Sequence, residues 1–193
     1  MKVLLIDHED SFVYNLYQNL RTLGAEVSCV RYTEPVRKSV EWNPDAIVLS
    51  PGPGHPKDHR VTGHARALLS RWRSERPFLG VCLGHQLIGE FYGGRVGRAE
   101  APVHGETVEI EHIDVPLFQH VPVRFRGARY HSLIVEREAL PPQLQVTAST
   151  RRRTIMALDH RSDPVHGVQF HPESYLTRVG PQILRNFLEE VHR

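Results

Sequence analysis

The first half of the chain alternates short apolar runs with segments that carry apolar residues at helical spacing. The apolar runs predict strands at Val3–Ile6, Glu26–Arg31, Ala46–Leu49 and Phe78–Val81. The periodic segments predict helices at Ser11–Leu23, Val61–Trp72 and Leu83–Tyr92. A strand that is apolar at every position is buried on both faces, as in a parallel sheet between helices. The order therefore predicts an α/β fold with an open, mostly parallel twisted sheet, flanking helices and a flavodoxin-like core.

The second half changes character, because its strand candidates are short and separated by turn residues. They lie at Val103–Ile110, Val123–Tyr130, Leu133–Glu136, Gln145–Ser149, Thr154–Leu158 and Val165–Phe170. Such a series predicts an added small antiparallel sheet and a return to the main sheet. Apolar residues from Ile183 to Val191 predict a closing helix that packs on the sheet. With no linker or repeat, residues 1–193 are predicted to form a single domain.

Composition and charge exclude several classes of protein. The formal net charge is only +2, and basic residues form no stripe that would follow a nucleic acid backbone. The densest basic cluster, Arg151–Arg153, lies between two apolar runs and predicts an exposed hairpin turn. No apolar run approaches the roughly 20 residues of a membrane helix, and the N-terminus lacks a signal-peptide pattern. We therefore expect a cytoplasmic protein that binds neither nucleic acid nor membrane.

The two cysteines, Cys29 and Cys82, stand in different settings and are too few for a disulfide framework. Cys29 lies in the middle of a predicted strand, which predicts a buried, unreactive thiol. Cys82 instead follows a buried strand and precedes a helix, with Gly80 and Gly84 two residues to either side. This is the sharp turn that presents a nucleophile, and a side chain at either glycine would clash with neighbouring elements. The helix N-terminus favours a thiolate, and the N–H of Leu83 points to where an oxyanion would form.

A thiolate nucleophile needs a base and a group that orients the base. Among 13 histidines, His171 stands out because the last predicted strand delivers it and Pro172 ends that strand. Residues two apart in extended backbone lie on one side, so Glu173 is predicted to hydrogen-bond the imidazole and fix its tautomer. The rigid loop Ser50–Pro56 holds a backbone N–H at a fixed point, and Gly54 is the predicted oxyanion-hole partner of Leu83.

Six segments together resemble the class I, triad-type glutamine amidotransferase family, in the order in which that family has them. They are Asp10–Asn15, Ser50–Gly54, Gly80–Gln86, His104–Gly105, Tyr130–Leu133 and His171–Ser174. The resemblance extends over essentially the whole chain. The first and fifth segments are most similar to the small subunits of anthranilate synthase and aminodeoxychorismate synthase.

The resemblance implies a reaction, a substrate and a partner. Cys82 attacks the side-chain amide of glutamine, His171 and Glu173 handle the protons, and water releases glutamate from a thioester. The family pattern implies glutamine-binding residues at Gly52, Pro53, Gly54, Gln86, Ser132 and Leu133. Ammonia passes to a chorismate-binding synthase large subunit, which makes anthranilate, aminodeoxychorismate or both. The resemblance implies no metal or cofactor in this chain, with Mg²⁺ expected in the partner.

The chain departs from the family pattern at three places. Glu106 stands where lysine usually follows the His-Gly pair, which reverses a charge in a region implied to lie near the partner or the glutamine site. His8 and Glu9 stand where asparagine and an aromatic residue are usual. Tyr175 replaces an aliphatic residue after the His-Pro-Glu-Ser segment.

Other interpretations of the sequence require different features. A signalling receiver domain has a similar fold but needs an aspartate at the end of the third strand, where Ser50 stands. A metal protein would use His55, His59, His64 and Asp58, which lack an HExxH or CxxC spacing. A catalytically silent scaffold subunit of the same synthase, and an amidotransferase subunit for another synthase such as GMP synthetase, both stay open.

Overall fold

The computed structural model describes residues 1–99 and 106–192 of the chain. The strands are β1 Lys2–Asp7, β2 Glu26–Arg31, β3 Ala46–Leu49, β4 Phe78–Val81, β5 Val96–Arg98, β6 Glu106–His112, β7 Arg124–Arg129, β8 Leu133–Val135, β9 Leu144–Thr150, β10 Ile155–His160 and β11 Val165–Val168. The α-helices are α1 Val13–Thr22, α2 Val36–Trp42, α3 His59–Trp72, α4 Leu83–Phe91 and α5 Gly180–Glu189. Short 3-10 helices lie at Pro116–Phe118, Arg137–Ala139 and Glu190–His192.

Nine of these strands form one mixed sheet in the order β2-β1-β3-β4-β11-β10-β9-β6-β7. The first five strands in that order are parallel, and the other four extend the sheet in antiparallel pairs. A separate antiparallel pair joins β5 to β8. The predicted fold class is confirmed, and the order 2-1-3-4 at the parallel end is that of flavodoxin-like sheets.

The core lies on both faces of the parallel strands. In β1, Val3, Leu4, Leu5 and Ile6 are all completely buried. Val3 and Leu5 belong to an apolar cluster that includes residues of α1 and α5, whereas Leu4 and Ile6 belong to a second cluster with residues of α3 and α4. Because successive side chains of a strand point to opposite faces, a continuous apolar run is what a sheet between two helical layers requires.

Two short elements, α2 and β5, were not predicted from the sequence. Helix α2 has only seven residues, VRKSVEW, and its apolar side chains Val36, Val40 and Trp42 are only partly buried, so its pattern is too short to reveal a helix. Strand β5 has three residues, one of them Gly97, and it is held by pairing with β8. The predicted strand at Val103–Ile110 begins at Glu106 in the structure, and its first three residues lie outside the described residues.

The prediction that Cys29 is buried is wrong. The residue is exposed on β2, which is the edge strand of the sheet beside α1. Partial desolvation of the sulfur, together with the charge of Asp7, raises the pKa of Cys29 to about 11. The thiol therefore stays protonated near neutral pH, and the expectation that it is unreactive rests on this raised pKa rather than on burial.

The structure also bears on three other features considered in the sequence, namely the basic cluster, membrane-spanning segments and the metal candidates. Arg151–Arg153 form the exposed turn between β9 and β10, as predicted. In the described part of the chain, no helix is long and apolar enough to cross a membrane. The same residues contain no group of three His, Cys, Asp or Glu side chains placed to hold a metal ion. His64, one of the metal candidates, is buried with Nε2 2.9 Å from Ser39 Oγ.

His166 on β11 is buried between two carboxylates. Its Nδ1 lies 2.9 Å from Asp159 Oδ1 and its Nε2 lies 2.7 Å from Glu190 Oε2. Burial alone would lower the pKa of His166, but hydrogen bonds to both carboxylates and their charges raise it to about 10. A doubly protonated imidazole donates at both nitrogens, so it links β11 to β10 and to the chain after α5.

We expect this imidazolium to stabilise the fold at neutral pH and to lose that contribution in alkaline solution. Because the folded-state pKa of His166 is raised, its contribution is fully present below the unfolded pKa of about 6.5 and is lost as the pH rises towards about 10. Urea unfolding of the unmodified chain and of His166→Gln measures this contribution across that range. The difference in the free energy of unfolding should shrink as the pH rises, and a constant difference would contradict the assignment.

Candidate active site

The loops that carry the predicted site residues all leave the same edge of the sheet. Parallel strands β1, β3, β4 and β11 are neighbours in it, and their carboxyl ends lead into His8, Ser50, Cys82 and Gln169. In open α/β sheets ligands bind at this edge, where loops from several strands converge. The fold therefore gathers segments that are far apart in sequence around Cys82.

Cys82 occupies a sharp turn as the single residue between β4 and α4. Its backbone has φ 52° and ψ −98°, a conformation that residues with a side chain rarely adopt. Its amide donates to Val168 O at 2.9 Å, and its carbonyl accepts from Gln86 N at 3.0 Å. These bonds hold the strained residue from both sides. The predicted strand–turn–helix geometry is confirmed, and the Leu83 amide belongs to the first helical turn, whose N–H groups have no partner within the helix.

Two glycines allow the turn to form. A Cβ on Gly80 would lie 2.4 Å from the carbonyl carbon and oxygen of Gly84. A Cβ on Gly84 would lie 2.4 Å from the carbonyl oxygen of Leu49. The backbone of α4 therefore touches β4 and β3 directly, and the predicted clash at both glycine positions is confirmed.

We expect Gly84→Ala to destabilise the protein by several kcal/mol, because the obstructing atoms belong to the backbone of β3 and must move. Gly63→Ala is the matched control, since Gly63 lies within α3 with open space around its Cβ direction. Alanine there should stabilise the helix by about 0.5–1 kcal/mol. Denaturant unfolding of both variants checks the pair, and equal effects would contradict the close approach described for Gly84.

His171 and Glu173 form a buried pair. Nδ1 of His171 lies 2.5 Å from Oε1 of Glu173, and both side chains are almost completely buried. The predicted contact is confirmed, but the predicted backbone is wrong. Strand β11 ends at Val168, and residues 171–174 form a turn in which Ser174 N donates to His171 O at 3.3 Å. The turn, rather than an extended strand, brings the carboxylate under the imidazole.

The imidazole of His171 is flanked by aromatic rings and by the thiol. The ring centroids of Tyr130 and Phe12 lie 5.0 Å and 6.1 Å from that of His171. Burial alone would lower the pKa of His171, but interactions with Cys82 and Glu173 raise it above its usual value. Nε2 has no hydrogen-bond partner of ordinary geometry among the described residues. Because Nδ1 is bound to Glu173, Nε2 is the nitrogen left for the thiol, and such bonds often tighten only when substrate binds.

Gln169 is a site residue that the sequence analysis missed. It is completely buried, and its Nε2 lies 3.7 Å from the sulfur of Cys82. Its Oε1 accepts from Gln86 Nε2 at 3.2 Å, and the same nitrogen lies 3.0 Å from Leu133 O. The amide therefore connects the thiol to two predicted glutamine-binding residues. The sequence feature that could have found it is an amide at the end of the predicted strand Val165–Phe170, two residues before His171.

The remaining predicted binding residues differ in their exposure and in the residues that they contact. Gly52 lies beside Leu83, the residue after the nucleophile, because a Cβ on Gly52 would be 3.0 Å from Leu83 Cδ2. Pro53 and Gly54 are exposed, and Gly54 has a φ of +96° with open space around its Cβ direction. Ser132 is also exposed, and its carbonyl accepts from Ala99 N at 2.8 Å. The assignments of these residues to glutamine and to the oxyanion stay predictions.

Comparison with known proteins identifies the family. The family model described as glutamine amidotransferase class-I matches residues 4–191. The chain belongs to this family. Two curated relatives are similar in sequence to this chain over nearly their whole length. Anthranilate synthase component 2 of Azospirillum brasilense is 46% identical over 193 residues, which cover 99% of this chain and 97% of that protein.

The second relative is aminodeoxychorismate/anthranilate synthase component 2 of Bacillus subtilis. It is 43% identical over 188 residues, which cover 97% of this chain and 95% of that protein. A solved structure from Thermoplasma acidophilum, described as that of a putative GMP synthase subunit, superposes with a TM-score of 0.89. It is 24% identical and covers 100% of this chain and 94% of that chain, so it shows that the two share a fold.

The three departures from the amidotransferase pattern occupy different environments. Glu106 is exposed and lies opposite Arg129 in the β6–β7 pairing. Burial lowers the pKa of Arg129, and the charge of Glu106 opposes that shift. Tyr175 is 88% exposed, whereas His8 is completely buried. The family segment His104–Gly105 lies outside the described residues.

Proposed function

We propose that this class I amidotransferase hydrolyses glutamine through a thioester on Cys82 and supplies the ammonia to a chorismate-binding synthase subunit. The observation that carries the chemical half of this proposal is the strained turn of Cys82 beside the buried pair of His171 and Glu173. A nucleophile, a base and an orienting carboxylate are the parts that acyl transfer through a covalent intermediate needs.

Acylation begins with attack of the Cys82 sulfur on the side-chain carbonyl carbon of glutamine. The carbonyl electron pair moves onto oxygen, and the thiol proton is held by His171. When the tetrahedral intermediate collapses, His171 gives that proton to the leaving nitrogen, and ammonia departs. Glu173 keeps the imidazole oriented throughout, since its oxygen lies 2.5 Å from Nδ1.

Deacylation repeats the proton transfers with water as the nucleophile. His171 takes a proton from water as the oxygen attacks the thioester carbon, and collapse expels the Cys82 sulfur. His171 returns its proton to the sulfur, so the thiol is restored, and glutamate leaves. The Leu83 N–H, with an N–H of the Ser50–Pro56 loop, would stabilise the oxyanion in both steps. Gly54 is the predicted loop donor, and Gly52 is the loop glycine that lies against Leu83.

The partner half of the proposal is supported by the names of the relatives. Those at 46% and 43% identity are component 2 proteins of anthranilate and aminodeoxychorismate/anthranilate synthases. The name component 2 implies that the same synthase has another component. We infer that this other component is a synthase subunit that binds chorismate. The chemistry assigned to this chain requires no metal, and Mg²⁺ is expected with the partner.

Product identity tests the whole proposal. The chain is mixed with each chorismate-binding synthase from its own genome, chorismate and Mg²⁺, with either glutamine or an ammonium salt as nitrogen source. We expect glutamine-dependent formation of anthranilate, aminodeoxychorismate or both, which would assign the chain to one branch or to a shared role. If ammonium supports synthesis with every partner and glutamine with none, the chain is a silent scaffold subunit and the proposal fails.

A further inference from the structure

His8, the first residue after β1, is bound to the start of the glycine- and proline-rich loop. Its backbone N–H donates to Ser50 Oγ at 2.9 Å. Its side-chain Nδ1 lies 3.2 Å from Ser50 O and 3.3 Å from Ser50 Oγ. Because a carbonyl oxygen only accepts hydrogen bonds, Nδ1 is the protonated nitrogen of the ring. His8 therefore contacts both the hydroxyl and the carbonyl oxygen of Ser50.

The loop is fixed at its first residues by these bonds. Ser50 N donates to Ile6 O at 3.1 Å, and Ser50 Oγ donates to Pro51 O at 2.6 Å. Gly52 then passes between two side chains. A Cβ on Gly52 would lie 2.5 Å from His8 Cβ and 3.0 Å from Leu83 Cδ2. The Cβ and carbonyl oxygen of His8, together with the side chain of Leu83, the residue after the nucleophile, thus enclose the backbone of Gly52.

We propose that His8 is a positioning residue for glutamine hydrolysis, which holds the loop backbone at Ser50–Gly52 so that a backbone N–H of the Ser50–Pro56 loop faces the oxyanion beside Leu83. This inference rests on the proposed function. His8 does not contact the thiol, so its effect is transmitted through the loop. Its buried place at the loop start also explains how the chain accommodates a histidine where the family usually has asparagine, since both side chains donate a hydrogen bond.

The environment keeps this imidazole neutral. Burial lowers the pKa of His8 to about 4, the hydrogen bond to Ser50 O opposes the shift, and the charge of His64 adds to it. The ring also stacks on Tyr32, with centroids 6.2 Å apart and planes 17° apart. At neutral pH the side chain is therefore a fixed hydrogen-bond donor rather than an acid.

The test compares two variants whose side chains have the same number and branching of heavy atoms, His8→Asn and His8→Leu, in the complex with the synthase partner. Asparagine is able to donate to Ser50 O and leucine is not. We expect His8→Asn to keep a kcat for glutamine close to that of the unmodified chain. We expect His8→Leu to lose about tenfold to a hundredfold in kcat with a smaller change in KM, because a displaced oxyanion donor acts mainly on the transition state.

A second measurement separates positioning from general damage. Alkylation of Cys82 by iodoacetamide forms no oxyanion, so its rate, followed by mass spectrometry of the Cys82 peptide, should be the same in both variants. Equal kcat values for the two variants, or a loss of alkylation in parallel with kcat, would overturn the inference. If His8→Leu does not fold, His8→Ala replaces it, because alanine also removes the side-chain donor to Ser50 O, and it too should lower kcat.

The same experiment distinguishes this inference from the proposed function. If the unmodified chain with its partner hydrolyses no glutamine, the proposed function fails before any variant is compared. If the unmodified chain is active and His8→Leu retains full kcat, only the positioning role of His8 fails.

Discussion

Replacing Cys82 by serine will abolish glutamine hydrolysis, with a loss of at least about 10⁴-fold in kcat. The serine hydroxyl keeps the shape of the turn but is a much weaker nucleophile than a thiolate, and His171 is placed beside a sulfur. Steady-state release of glutamate by the complex with its partner measures the loss. Synthesis from ammonium by the partner should continue at the unmodified rate, because that reaction does not use this thiol.

Cys29→Ser is the matched control, since Cys29 is the only other cysteine in the sequence and lies on an exposed edge strand. It should leave both glutamine-dependent and ammonium-dependent synthesis unchanged. Retention of glutamine hydrolysis in Cys82→Ser would remove Cys82 from the mechanism. A parallel loss of ammonium-dependent synthesis would mean that the substitution disrupts the complex rather than the chemistry.

Replacing Glu173 by glutamine will lower kcat by about 10²- to 10⁴-fold. The carboxylate accepts from Nδ1 of His171 at 2.5 Å and so fixes the tautomer that leaves Nε2 free for the thiol. An amide whose NH₂ group faces Nδ1 favours the opposite tautomer, in which Nε2 carries the proton and is unable to take another from sulfur. The negative charge that stabilises the imidazolium is also lost.

Glutamine hydrolysis and urea unfolding of Glu173→Gln are measured side by side with those of Glu189→Gln, an exposed position on α5. The control should match the unmodified chain in both. The Glu173 variant should remain folded, because glutamine occupies nearly the same volume. A kcat within about twofold of the unmodified chain would show that the His171–Glu173 contact has no role in proton transfer.

The parallel half of the fold was predictable because its strands are continuous apolar runs. Four predicted strands match β1 to β4 closely, and the order of elements fixed the parallel pairing. The local sequence pattern did not predict elements or exposures that depend on contacts with neighbouring parts of the fold. Helix α2 has only seven residues and packs partly buried side chains on the core, and β5 forms by pairing with β8. The exposure of Cys29 follows from the edge position of β2, which only the sheet order reveals.

The centre of the candidate site was predictable because its residue types and glycine spacing carry physical constraints. The turn at Cys82 and the contact of His171 with Glu173 both appear in the structure. Contacts between residues far apart in the sequence were not predicted. Gln169 reaches the sulfur of Cys82 from the position after β11, and His8 reaches Ser50 across 42 residues of sequence. Such pairs become visible only when the strand ends converge at one edge of the sheet.

The most direct test of the account is labelling by a glutamine analogue that carries a chloromethyl ketone in place of its side-chain amide. The analogue takes the place of glutamine and alkylates the thiol that would attack the amide carbon. We expect one label per chain in the complex with its partner, on the peptide that contains Cys82, and protection of that peptide by excess glutamine. Labelling of Cys29 instead, or labelling of Cys82 that glutamine does not slow, would contradict it.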